Sequence, residues 1–206
     1  MNGKVTIRHR ESDSDAEADI FDNVTLDDFQ ESQATWRPVL WGACAIMKLT
    51  GQPLPLYKHW DWTTKAPALT RLDVSFFGLK CEGRLQGLMK ADTGTLYRCR
   101  TESQTGQELV YVDYVETAPW NLQTYMEALG RKRLYSGVGV RLMQAAVELS
   151  IDNELKGRVG LHSLPDSEAF YHKIGMTPHE RDKNKQCLMW FEFTPENAQS
   201  FLENYK

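Results

Sequence analysis

The residues best suited to chemistry lie late in the chain, in the order strand, glycine loop, helix: Leu109–Val115, Ser136-Gly137-Val138-Gly139, then Val140–Ser150. The first turn of a helix leaves backbone N–H groups without partners and turns the positive end of its dipole outward. Glycines let such a turn approach an anion closely, so this loop is a candidate cradle for a diphosphate. A glycine pair ahead of a helix also serves packing. Neither familiar nucleotide loop is present: there is no GxxxxGK[ST], and Leu142 and Met143 follow where GxGxxG needs its third glycine. Asp113 interrupts an otherwise apolar run, so its carboxylate must be paired or face a cavity. Glu116 lies at the end of that run. His162 closes the next apolar stretch and titrates near neutrality.

The elements that must position these groups can be read from pattern. Residues 34–49 read as a helix with Trp36, Leu40, Ala43 and Met47 on one face, broken by Gly51, Pro53 and Pro55. Leu72–Leu79 and Arg84–Lys90 read as a hairpin turning at Gly83, and Thr95–Arg100 as a weakly patterned third strand. Leu109–Val115 is almost continuously apolar, as expected of a central strand covered on both faces. Val138, Leu142, Ala145, Ala146 and Leu149 make the apolar stripe of the following helix. A strand at Arg158–His162, a helix at Asp166–Ile174 stopped by Gly175, and a strand at Cys187–Phe193 complete the order. A helix between strands implies a right-handed crossover and a partly parallel sheet, hence a mixed α/β fold.

The whole chain of 206 residues is long enough to bury a core, and 41% hydrophobic with 25% charged residues is ordinary globular usage. The longest apolar stretch, Val39–Met47, is too short to span a bilayer, and no basic-then-apolar signal segment opens the chain. A cytoplasmic protein is expected. Cys44, Cys81, Cys99 and Cys187 are widely spaced without a CxxC pair, which speaks for reduced thiols and against zinc; no metal site is expected. Net charge is −4, but residues 1–30 hold three basic and eight acidic side chains, −5, leaving the remainder at +1. No polybasic footprint for nucleic acid or membrane is present. Residues 1–22, with ESDSDAEAD at Glu11–Asp19, read as an acidic, flexible arm, although Val5-Thr6-Ile7 can add a short strand. Residues 23–206 read as one domain.

Past the helix, Gly160-Leu161-His162 leads into Phe170-Tyr171 and Gly175-Met176. With Gly137 and Gly139 at a helix start, and Thr117-Ala118-Pro119 after the central strand, residues 72–193 resemble the GNAT N-acetyltransferase superfamily. Three departures stand out. Leu134 replaces the usual Gln or Arg, with Lys132 and Arg133 nearby. Some 17 residues separate Pro119 from Gly137 where the family has a handful, including a helical-looking Leu122–Leu129. Leu164 replaces a frequent asparagine.

The resemblance implies a GNAT-like fold, a central mixed sheet flanked by helices, and acetyl transfer from acetyl-CoA to a primary amine. It implies that Val115, Glu116 and Thr117 offer backbone groups to the pantetheine arm. It implies that Tyr135, Ser136, Gly137, Val138 and Gly139 hold the pyrophosphate, with Phe170 and Tyr171 also at the CoA. Tyr171 is the expected proton donor to the leaving thiolate, and Asp113, Glu116 and His162 are alternative bases. Each has a structural alternative: aromatic packing for Phe170 and Tyr171, ion pairs or a satisfied histidine for the rest. Trp60 and Trp62 with Asp61 suggest a cationic-amine pocket, or core packing. The acceptor, small molecule or protein, stays open, and homodimers are common among similar proteins. A second reading is a GNAT-shaped CoA-binding or regulatory protein without catalysis; a third is an interaction module led by the acidic arm.

Overall fold

The computed structural model describes residues 2–205. In chain order it runs β1 (Asn2–His9), β2 (Ser14–Phe21), α1 (Leu26–Leu49), β3 (Val74–Cys81), β4 (Arg84–Asp92), β5 (Val110–Thr117), α2 (Gln123–Ala128), β6 (Tyr135–Ser136), α3 (Val138–Asp152), β7 (Val159–Ser163), α4 (Glu168–Lys173), β8 (Thr177–Asp182), β9 (Leu188–Phe193) and α5 (Pro195–Asn204). The strands form one sheet in the order β6-β1-β2-β3-β4-β5-β7-β9-β8. β5 and β7 run parallel, as a helical crossover requires, while β1 with β2, β1 with β6, β2 with β3, β7 with β9 and β8 with β9 are antiparallel. The fold is the mixed α/β sheet with flanking helices that the sequence implied.

The chain divides into two compact units. One holds the residues up to Arg71, Phe76–Met89 and Val115–Leu142; the other holds Leu72–Ser75, Lys90–Tyr114 and Met143 onward. The units interleave along the chain.

In the first unit, residues 2–21 are not a tail. They form the β1–β2 hairpin, registered from Asn2↔Phe21 to His9↔Ser14. Alternation explains this. Ile7, Ala18 and Ile20 are buried on one face, whereas the charges read as a solvated run pair across the strands: Lys4 with Glu17 and Asp19, Arg8 with Asp13 and Asp15. Such exposed pairs contribute little; the apolar face and the ladder hold the hairpin. Helix α1 begins at Leu26, eight residues before the expected start, because its acidic first turn (Asp27, Asp28) carries little apolar pattern. The Thr25 N–H donates to Asp28 Oδ2 at 2.8 Å and closes that end. The expected face is buried in full: Trp36, Leu40, Ala43 and Met47, each contributing about 1.5–3 kcal/mol for the larger side chains. Tyr125 of α2 packs on Leu40, Ala43 and Met47.

In the second unit, Val110↔Val159 to Val112↔Leu161 set the parallel register. Gly160 lets the Trp190 indole lie on β7, since a Cβ there would sit 2.5 Å from the ring. Thr95–Arg100, expected as a strand, is a loop; the Cys99 N–H donates to Gln107 O at 3.0 Å. Strand β8 and helix α5 had no sequence signal: β8 is a polar strand at the sheet's end, and α5 relies on Thr194 accepting from the Asn197 N–H at 3.2 Å. Among the described residues, no helix is long and apolar enough to cross a membrane.

Candidate active site

The first unit carries a buried carboxylate at the end of β5. Glu116 is 4% exposed. Arg37, from α1, donates through Nη2 to Oε1 at 2.7 Å and to Oε2 at 2.8 Å. The Trp62 indole N–H donates to Oε2 at 2.7 Å. Trp62 opens a 3-10 turn, Trp62–Thr70, that Asp61 caps by accepting from the Thr63 N–H at 2.8 Å. Asp61 is thus engaged, and the cation over the Trp62 ring is the protein's own Lys65, 5.6 Å away. Of the two readings of Trp60, Asp61 and Trp62, an amine pocket or core packing, packing fits: Trp62 is buried against Glu116, Trp60 packs on Tyr57 and Asp61 caps the turn. Burial raises the Glu116 pKa above the ordinary glutamate value, opposed by Arg37, by the Trp62 N–H and by Lys65. A carboxylate shifted upward is better matched to accept a proton near neutrality.

The glycine loop lies beside it. Gly137 has φ +98°, which admits glycine and strains other residues. The first bond within α3 runs from the Arg141 N–H to Gly137 O at 3.0 Å, so the amides of Val138, Gly139 and Val140 precede the closed turn. On β4, a Cβ at Gly87 would sit 2.8 Å from Val138 Cγ1, 2.9 Å from Leu142 Cδ1 and 3.5 Å from Glu116 O. Gly87 therefore seats the start of α3 against the end of β5. Two features far apart in sequence, the glycine loop and Glu116, become neighbours with Val115 and Thr117. This arrangement suits a diphosphate at the helix start.

Tyr135 contributes differently from expectation. Its N–H donates to Asn121 Oδ1 at 3.0 Å and its ring is buried, edge-on to His9. With Ser136 it pairs with β1. The amides of Val138, Gly139 and Val140, in the first turn of α3, are the ones placed to meet an anion. The long segment after Pro119 does this fastening: Trp120 Nε1 and Asn121 Nδ2 both donate to Oε1 of buried Gln86, at 2.8 and 3.1 Å, and the Leu134 N–H donates to Trp120 O at 2.7 Å.

The remaining candidates fall in the second unit, each with its own partners. Asp113 forms an ion pair with Lys90 at 2.6 Å. His162 is held at both nitrogens, Nδ1 to the Tyr111 hydroxyl at 3.0 Å and Nε2 to Asp182 at 3.2 Å; burial lowers its pKa, opposed by Asp182. Tyr171, 5% exposed, packs on half-buried Phe170 and on Phe191, and burial raises its phenol pKa. Sequence reasoning missed Arg37, although it is the single charged residue between Ser32 and Met47, a signal in itself. Gln86 and Asn121 gave no such signal. Among the described residues no group of three or more His, Cys, Asp or Glu side chains could hold a metal ion.

A nine-stranded sheet with a parallel β5–β7 pair, and a glycine-led helix against the end of β5, is the fold of the GNAT acyltransferases. In particular, the chain is similar to the PaiA N-acetyltransferase from Thermoplasma acidophilum in complex with coenzyme A (TM-score 0.51, 14% identity, covering 85% of this chain and 97% of that one). It is similar to a GNAT-family acetyltransferase from Listeria monocytogenes (0.51, 11%, 93% and 99%). It is also similar to FeeM, an N-acyl amino acid synthase from uncultured soil microbes (0.53, 12%, 100% and 98%). No protein-family model and no curated protein matches the sequence.

Proposed function

We propose that the protein transfers an acyl group, acetyl in the simplest case, from acyl-CoA directly to a primary amine in the cytoplasm. The observation that carries this reading is the seating of Glu116 and the α3 start on Gly87. The amides of Val138, Gly139 and Val140 hold the diphosphate, aided by the helix dipole. Val115 and Thr117 offer backbone groups along the pantetheine arm. Glu116 takes one proton from the acceptor ammonium. The neutral amine then attacks the thioester carbonyl, the N–C bond forms and the C–S bond breaks. As the amide forms, the second amine proton is released and restores the donor that protonates the departing thiolate. On the family resemblance the donor to the thiolate is Tyr171, whose buried phenol stays protonated until the thiolate forms. Holding both reactants in register supplies much of the acceleration. Coenzyme A in the PaiA complex and the acyl chemistry of FeeM support the reading.

Calorimetry with acetyl-CoA, followed by thiol release with an amine panel, tests it. Saturable binding and turnover are expected, with Glu116→Gln lowering turnover by about 100-fold or more and Tyr171→Phe lowering it further at neutral pH than at high pH. A folded sample that binds no acetyl-CoA overturns the reading. Binding without turnover on any amine favours the non-catalytic, regulatory alternative.

A further inference from the structure

Helix α1 has a second apolar face. Trp36, Leu40, Ala43 and Met47 point into the core of the first unit. On the opposite side Ala34, Pro38, Trp41 and Ala45 recur at spacings of three and four, and all are exposed. Trp41 is 61% exposed. Between Glu31 and Lys48 the helix carries one charge, Arg37, and it is buried, so this outer stripe is apolar along its middle. Its ends are not. The exposed pair Leu26-Asp27 opens the helix and the exposed pair Lys48-Leu49 closes it. A tryptophan standing out from small neighbours is the usual anchor of a protein interface. The stripe as a whole carries one acid at one end and one base at the other, so a partner with an excess of either charge gains nothing from it. The same face turned end for end does.

We propose that this face docks on the same face of a second copy of the chain, α1 antiparallel to α1, across a two-fold axis level with Arg37 and Pro38. Such an axis sets each residue before it opposite the residue equally far after it, and every pair occurs twice. Ala34 then receives Trp41 of the other copy, the smallest side chain of the stripe beside the largest. Ala45 leaves room for Gln30. Asp27 meets Lys48, and Leu26 meets Leu49. Acid faces base and apolar faces apolar throughout. A parallel arrangement fails on the same residues, because it sets Trp41 on Trp41, Asp27 on Asp27 and Lys48 on Lys48. The backbone adds a further match. Pro38 carries no N–H, so the Ala34 carbonyl lacks its usual i+4 donor. The indole N–H of Trp41 from the other copy arrives at that level. Trp41 is thus the centre of the interface, and the end charges set its direction. The proposal is independent of the acyl-transfer reading.

Sedimentation of the full chain over about a hundredfold range of concentration tests it. A dimer that dissociates on dilution is expected. Trp41→Glu, at an exposed position, should raise the dissociation constant by about 100-fold or more. Asp27→Lys and Lys48→Asp each set like charges together and should raise it by about fivefold. The double variant, Asp27→Lys with Lys48→Asp, should return it to the original value. An equimolar mixture of the two single variants should associate as well as the unaltered chain, since the surplus bases of one meet the surplus acids of the other. Circular dichroism shows which variants keep their helices, and the charge series decides the matter by itself if Trp41→Glu does not fold. A monomer at every concentration overturns the proposal, as does a dimer indifferent to Trp41→Glu. A dimer that neither charge reversal weakens, or that the double variant does not restore, overturns the antiparallel pairing.

Discussion

Each unit of this molecule buries one glutamate under a tryptophan, and the two are wired differently. Glu116 in the first unit accepts from Trp62 Nε1 at 2.7 Å, with Lys65 over the ring. Glu192 in the second accepts from Trp190 Nε1 at 2.8 Å, with Arg100 over the ring at 4.7 Å. From there they diverge. Glu192 is fully buried, and it also accepts from the backbone N–H groups of Arg100 and Thr101 at 2.8 and 2.6 Å and from Gln104 at 3.3 Å. Burial alone would raise its pKa, but these donors outweigh it, and the carboxyl ends below its ordinary value. Glu116 meets one guanidinium nitrogen and one indole, and burial wins. A carboxylate saturated by neutral donors fastens a loop, here residues 100–104 to β9. Glu116, with fewer donors, sits beside a guanidinium whose Nε and Nη1 lack acceptors.

The largest effects test this contrast by removing partners. Arg37→Met leaves Glu116 buried without its counter-charge and is expected to lower stability by about 3–5 kcal/mol. Adding Glu116→Leu should restore much of that loss, because two apolar side chains no longer strand a charge. Glu192→Ala leaves two backbone donors and an indole N–H unmet, for a loss of about 3 kcal/mol or more. Urea denaturation measures all three. Should Glu192→Ala prove nearly neutral, its network would not be fastening the loop, and the contrast would fail.

A smaller effect comes from glycines that each unit needs for close approach. Gly87→Val drives a side chain into Val138 and Leu142, and Gly160→Val drives one into the Trp190 ring. Both are expected to lower stability by about 1–3 kcal/mol. Only Gly87→Val should also weaken acetyl-CoA binding, since only it displaces the start of α3. Calorimetry on the folded variants distinguishes them; equal affinity in both would detach the helix start from the diphosphate.

Much of this was legible beforehand, for identifiable reasons. The β5 run, the Gly137–Gly139 loop and the α3 stripe are local patterns, and each appears where the periodicity put it. Glu116 was visible as a strand-end carboxylate, yet nothing local announced Arg37 and Trp62 as its partners. Those contacts join residues 79 and 54 positions apart. The hairpin at residues 2–21 was hidden for another reason. Its charges sit on alternate positions of two short strands, and composition registers the charge while missing the alternation. Asp113 and His162, which looked as eligible as Glu116, are engaged by Lys90 and by Tyr111 with Asp182.

The two glutamates should also tilt stability against pH in opposite directions. Glu192 has a folded pKa below its unfolded value, so its stabilisation is present above the unfolded pKa and is lost as pH falls through the folded one. Glu116 has a raised folded pKa, so the folded state binds the proton more tightly and stability declines as pH rises from the unfolded pKa through the folded one. Thermal melts across acid to neutral pH check this. Glu192→Gln should flatten the acid-side loss, and Glu116→Gln should flatten the decline toward neutrality. Slopes of the same sign would show that burial does not dominate at Glu116.

The smallest expected effect falls on Lys65. Its charge stands 5.6 Å from the Trp62 ring and favours the ionised form of Glu116. Lys65→Met keeps the length of the side chain and removes the charge, for a stability loss of about 0.5–1 kcal/mol. With that charge gone, the Glu116 pKa moves further up, and the acid limb of the pH–rate profile should move to higher pH with it. The matching change at the other indole, Arg100→Met, also deletes the ion pair with Asp182. It should therefore affect stability more and leave the profile in place. A profile that shifts in Arg100→Met but not in Lys65→Met would reassign the titrating carboxylate to the second unit.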